Sequence, residues 1–331
     1  MRGVLKRLAV LVLVGAVLAS LGEAFVAAQN APGNGFRISP VRSEFTIEKG
    51  ATETLVVTVE NPTGGPITAR GVVNNFIASE KENGEPRLIL EDNAPQPRNN
   101  FKKLIGPIPD TPLAPRQKKD IQVSINIPKD AESGGYYGAI RFLPVNSQDD
   151  GNVALTASVG TIVLVKVPGN LTERLSLESL GAAQNGKSKS FLTSGDVDVA
   201  VRLKNIGNIH VQPFGKVQVK NMFGKVVKEY ELNANDPRAN ILPDSVRRFD
   251  DPIAKPKPMW FGRYSITANI GYSQGSGDLI SAKASFWYLP TWFLIFLFVL
   301  ILAIVGAVFW FVKMRGGGGR RAHKSGAIRR F

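Results

Sequence analysis

Apolar and polar residues alternate with period two through much of the chain ahead of residue 290. From Asp120 to Ile127, the residues Ile121, Val123, Ile125 and Ile127 fall on one face and Asp120, Gln122, Ser124 and Asn126 on the other. That is the pattern of a strand with one buried face. Val197, Val199, Val201 and Leu203 repeat it against Asp198, Arg202 and Lys204. So do Tyr264, Ile266, Ala268 and Ile270 against Ser265, Thr267 and Asn269, and Leu55, Val57 and Val59 against Thr54, Thr58 and Glu60. No segment in this region keeps a helical period over three turns. Glycine, proline and asparagine punctuate the strands at short intervals, so the pattern predicts an all-β sandwich or barrel.

Two stretches read as one plan used twice. Leu55 to Val59 leads into Glu60-Asn61-Pro62-Thr63-Gly64-Gly65, and Val197 to Leu203 leads into Lys204-Asn205-Ile206-Gly207-Asn208. In each, an asparagine closes a strand at a turn that glycine completes; both residue types tolerate positive φ, and the asparagine side chain can bond nearby backbone. Leu113-Ala114-Pro115 then precedes Pro128 and Gly134-Gly135-Tyr136-Tyr137-Gly138, while Leu242-Pro243 precedes Pro256 or Pro258 and Gly262-Arg263-Tyr264. The expected fold is two tandem immunoglobulin-like β-sandwich domains, 36–168 and 171–286, with a seam near Pro168-Gly169-Asn170.

The ends differ. Arg2, Lys6 and Arg7 precede an apolar run from Leu8 to about Ala19, shorter than the roughly 20 residues a bilayer core demands. With small residues at Val26-Ala27-Ala28, residues 1–28 read as a signal peptide. Residues 292–312 carry no charge and, at about 1.5 Å rise per residue, are long enough for a single transmembrane α-helix. Trp287, Trp292 and Trp310 flank it as aromatic rings flank a bilayer, and Lys313, Arg315, Arg320 and Arg321 open a basic tail, 313–331. The positive-inside rule then predicts a single-pass membrane protein with an extracellular N-terminal portion and a cytoplasmic tail.

This reading alters the meaning of the charge. The chain holds 41 Lys+Arg and 27 Asp+Glu, a net +14. Much of the excess lies in the leader and tail, where it is topogenic, so a nucleic-acid partner is not indicated. The glycine-arginine stretch Arg315 to Arg321 is read the same way, as a juxtamembrane basic segment against anionic lipid. The absence of cysteine leaves the stability of both modules to their cores, which domains of this size can supply.

No reaction chemistry emerges, and no enzyme or cofactor is expected. The chain has two histidines, His210 and His323, so the usual zinc ligand sets are almost excluded. Gly271-Tyr272-Ser273-Gln274-Gly275 matches a nucleophile elbow in letters, but no helix follows, and no later histidine lies on the same side of the membrane. Asp149-Asp150-Gly151 and Asn233-Ala234-Asn235-Asp236 lack the spacing of a calcium loop and are turn chemistry. His210 is expected as a partly exposed strand residue. The long loop 91–115 is the remaining candidate: Arg98, Phe101, Lys102 and Lys103, with Arg116 just after, form a basic patch suited to an anionic polymer or acidic partner.

The strand and turn Val57-Thr58-Val59-Glu60-Asn61, the segment Leu113 to Val123, and Gly134-Gly135-Tyr136-Tyr137-Gly138-Ala139-Ile140 resemble the bacterial WxL-interacting protein family. Val201 to Asn205, Pro213-Phe214-Gly215 and Asn221-Met222-Phe223-Gly224 carry the resemblance into the second module. The resemblance implies a cell-surface scaffold that associates with peptidoglycan and with other surface or host proteins. The residues themselves predict a non-catalytic, membrane-anchored cell-surface binding protein, with adhesion or wall attachment as the leading hypothesis; the alternative is an accessory membrane subunit of an envelope secretion or pilus-assembly machine.

Overall fold

The computed structural model describes residues 35–91, 93–145, 158–253, 261–272 and 279–316. The leader, the tail beyond 316, Asp149-Asp150-Gly151, Pro256, Pro258 and Ser273 to Gly275 lie outside them.

Among the described residues, nine strands build the first β-sandwich: β1 (Arg37–Ser39), β2 (Arg42–Thr46), β3 (Thr52–Glu60), β4 (Ile67–Ala78), β5 (Pro86–Leu88), β6 (Thr111–Leu113), β7 (Lys118–Asn126), β8 (Gly134–Val145) and β9 (Val159–Val167). One sheet has the order β1-β3-β7; the other runs β2-β9-β8-β4-β5, with β6 also on β4. The alternation sets the inner faces. Leu55, Val57 and Val59 from β3 and Ile121, Val123 and Ile125 from β7 pack with Ile140 and Phe142 of β8 and Val163, Val165 and Val167 of β9. Burial of each such side chain stabilises by roughly 1.5–3 kcal/mol, so no covalent staple is needed.

The second β-sandwich repeats the arrangement with β10 (Leu175–Gln184), β11 (Lys187–Ser188), β12 (Phe191–Leu192), β13 (Asp198–Asn205), β14 (Phe214–Lys220), β15 (Val226–Leu232), β16 (Val246–Pro252), β17 (Gly262–Gly271) and β18 (Leu279–Tyr288). Its sheets are β11-β10-β13-β16 and β12-β18-β17-β14-β15. Val199, Val201 and Leu203 meet Val217, Val219, Tyr264, Ile266, Ala268 and Ile270 in its core. The first compact unit ends at Leu171, and the short segment Ala78–Glu85 belongs by its contacts with the second. There Arg202 Nε donates to the Glu82 carboxylate at 2.7 Å and the Arg248 N–H to the Glu82 carbonyl at 2.8 Å.

The duplicated plan is visible atom by atom. Asn61 directly follows β3 and Asn205 ends β13, and both are fully buried. Asn61 Nδ2 donates to the carbonyls of Gly65 (2.8 Å) and Ala114 (3.1 Å). Asn205 Nδ2 donates to those of Ile209 (2.7 Å) and Ile241 (2.8 Å). Each oxygen accepts a backbone N–H two residues on, from Thr63 and from Gly207. A turn then follows each Leu/Ala-Pro step, with its third residue left-handed: Arg116 at φ 63 and Asp244 at φ 56.

After Pro290, whose carbonyl accepts the N–H of Phe293 and of Leu294, the chain becomes the α-helix α1 (Thr291–Gly316). Apolar residues lie on all sides of it, and it is long and apolar enough to cross a membrane by length and composition.

Candidate functional site

The candidate basic patch of loop 91–115 is split by the fold. Phe101 opens a short 3-10 helix, Phe101–Leu104, and is fully buried in the first core. Its ring fills the space over Gly138, where a Cβ would come within 1.8 Å of Phe101 Cδ1. Asn75, itself buried, donates to Gln96 and Asn100 and accepts the Lys102 N–H at 3.0 Å. Asn99 reaches the Gly135 carbonyl at 3.0 Å. Arg98 pairs with Glu132 at 2.6 Å, and Lys102 and Lys103 are exposed. Arg116 occupies the turn position whose counterpart is Asp244. The loop is thus folded onto the sandwich through its amides, and its aromatic residue faces inward.

The other candidates resolve into local structure. His210 is buried, 9% exposed, rather than partly exposed. Asn233 holds its own turn, donating to the Pro213 and Ala239 carbonyls and accepting the Ala239 N–H. Among the described residues no group of three or more His, Asp or Glu is placed to hold a metal ion. Trp287 lies in β18. Trp292 stands edge-on to Phe261 and Phe293 in the first turn of α1, Trp310 is exposed, and Arg315, two residues after Lys313, lies over the Phe311 ring at 4.4 Å. Arg320 and Arg321 lie outside the described residues.

A different surface collects large apolar side chains at one end of the second unit. The turn joining β14 to β15 carries Met222 and Phe223, 45% and 81% exposed, and Val226 and Val227 follow at 42% each. This turn is closed by its own hydrogen bonds: Asn221 Oδ1 accepts the N–H groups of Phe223 and Lys225, and the backbones of Asn221 and Lys225 also pair. Gly224 supplies the left-handed step at φ 78, which costs other residues about 1 kcal/mol. Met222 packs on Gly262, leaving no room for a Cβ there. In the next register positions Arg263 lies opposite Trp287, and Trp287 beside Phe191. Paired residues share a sheet face, so exposed Trp287 stands between Phe191 on one side and Arg263 on the other, and Arg263 donates to Ser285 at 3.0 Å.

The charges there are of one sign. Segments 187–193, 219–228, 261–272 and 279–292 contain no Asp or Glu. Farther from the apolar end, the hairpin's lysines are paired: Lys216 with Glu229 at 2.8 Å and Lys228 with Asp251 at 3.2 Å. Lys216 holds the Glu229 carboxyl below its ordinary value, with Gln218 adding a further hydrogen bond. Lys220, Lys225 and Arg263 make no ion pair among the described residues. On β13, burial and then the neighbouring carboxylates Asp250 and Asp196 push the Asp198 carboxyl up.

Sequence patterning did not single out this surface, because alternation detects strand faces and says little about turns. A signal existed: two bulky apolar residues in a four-residue turn between lysines run against the polar composition of turns.

No family model and no curated protein matches the chain. Solved structures similar to it include the CFA/I fimbrial chaperone-tip adhesin complex at 12% identity, covering 76% of this chain and 98% of that one with a TM-score of 0.38. The class 5 fimbriae chaperone CfaA follows at 13%, with 76% and 99% covered and a TM-score of 0.36. The E. coli chaperone DraB stands at 15%, with 76% and 96% covered and 0.34. Several expectations are corrected at this point. No family model matches, the WxL-interacting family included, and that assignment is withdrawn. Also withdrawn are the single-pass topology with an extracellular N-terminal portion and a cytoplasmic tail, and peptidoglycan or wall polymer as partner. For α1, length and composition set no orientation.

Proposed function

We propose that this chain is a non-catalytic accessory protein of a bacterial envelope assembly apparatus, of the secretion or pilus-assembly kind, and that it works by holding another protein. The observation that carries this reading is the exposed apolar end of the second unit, where Phe223 is 81% exposed on a turn closed by its own hydrogen bonds. Contiguous exposed apolar surface marks interaction sites, and aromatic, Met and Arg side chains are those enriched at protein interfaces. The N-terminal apolar run behind basic residues supports export, and the tandem sandwiches supply a scaffold without a reaction centre.

Co-purification of the full-length chain from native cells tests this. The parent retains a partner protein, and Phe223→Ala combined with Trp287→Ala releases it while the thermal melt stays unchanged. Equal recovery of the same partner by both proteins would count against the reading.

A further inference from the structure

We infer that the apolar end of the second unit docks an acidic protein segment in which carboxylates are interspersed with apolar side chains, with Phe223 and Trp287 as anchors and Lys225 and Arg263 as charge partners. This rests on the protein-binding reading above and adds the chemistry of the partner.

The argument is charge complementarity around a preformed apolar centre. Phe223 is held out by a turn whose conformation is set by Asn221 and Gly224, so little ordering is needed on binding. Trp287 and Phe191 extend the apolar surface along the same end of the sheet, with Arg263 beside them. The segments that meet there contain no carboxylate. The contrast lies within one hairpin: Lys216 and Lys228 have carboxylate partners within the fold, whereas Lys225, at the apolar tip, has none among the described residues. A partner bearing carboxylates supplies what the fold provides elsewhere, and a desolvated charge at an interface requires such a counter-charge. Ser265, opposite Ser285 one step further along the sheet, offers a hydroxyl for a hydrogen bond next to the aromatic centre, as a protein ligand would use.

The test uses the full-length chain in a neutral detergent and three fluorescent peptides of about a dozen residues, alternating leucine with glutamate, glutamine or lysine. The glutamate peptide is expected to bind at least about tenfold more tightly than the glutamine peptide, and the lysine peptide not at all. Raising salt from about 50 to about 300 mM should weaken the glutamate complex severalfold. Phe223→Ala and Trp287→Ala should each cost about tenfold. Lys225→Glu with Arg263→Glu should reverse the preference toward the lysine peptide. All these positions are exposed, and an unchanged thermal melt checks that each variant folds. Equal binding of the three peptides would overturn the inference. So would indifference to all four substitutions, or an effect confined to association with phosphatidylglycerol mixed micelles, which would assign the surface to lipid. If the alanine variants release the native partner but the peptides are not distinguished, the acidic chemistry fails and the protein-binding reading stands. If the variants leave the native partner bound, the reading itself fails.

Discussion

Asn205 is fully buried, and its carboxamide serves two carbonyls and one N–H. Truncation takes this partner from the Ile209 carbonyl and the Gly207 N–H, while the Ile241 carbonyl keeps the Val211 N–H at 3.0 Å, and each buried polar group left unmade costs about 1–3 kcal/mol. Asn205→Ala should therefore lower the stability of the second unit by about 2–3 kcal/mol, read from a urea titration; a loss below about 0.5 kcal/mol would show that water replaces the amide. Thr161 presents the opposite case, a fully buried hydroxyl without a hydrogen-bond partner among the described residues. Thr161→Val keeps the shape and removes the orphan, so a gain of up to about 1 kcal/mol is expected in the same titration. Asp198 gives a pH dependence. Its carboxyl is pushed up by burial and by Asp250 and Asp196, so the folded protein binds this proton more tightly than the unfolded chain. The carboxylate is then a cost, complete above the folded-state pKa and gone once pH falls below the ordinary carboxylate value near 4. Asp198→Asn should be more stable than the parent at neutral pH and converge with it below about pH 4. Superimposable stability curves across that range would contradict this.

At the scale of elements, the alternating runs of β3, β7, β13 and β17 were legible because period two directly records which side chains enter the core. The single turn Phe101–Leu104 was not, since four residues carry no period, and Phe101 read as part of a surface loop. Its partner is Gly138, a position where the inner face of β8 lacks a side chain and the ring takes the space. Gly138→Ala should displace that ring at a cost of about 1–3 kcal/mol and speed limited proteolysis within 91–115; unchanged cleavage would mean that the amides of Asn75 and Asn99 hold the loop without it. The turn between β14 and β15 was legible as a turn but not as a site. Nothing in the alternation indicates that Met222 and Phe223 stay exposed, which depends on Asn221 fixing the backbone and Gly262 seating the methionine. Helix α1 was legible as a helix from its uninterrupted apolar run, whereas its setting is not a matter of residue pattern.

Across the whole molecule, the duplicated plan explains why sequence went far toward the fold and less far toward function. Asn61 and Asn205, Arg116 and Asp244, and Gly134 and Gly262 are paired positions of one architecture, so motifs that recur in both units describe construction. Arg116 illustrates the consequence: a basic residue that looked like part of a ligand patch is a turn position shared with an aspartate. What distinguishes the second unit is found where the copies differ, at the carboxylate-free apolar end that carries Met222, Phe223, Trp287 and Phe191. The most direct measurement places a photoreactive phenylalanine analogue at position 223 of the full-length chain in living cells, with the exposed position Asn235 as control. Discrete adducts with a single protein species from 223, absent from 235, are the predicted result. Equal labelling from both positions, or adducts to lipid alone, would contradict the account.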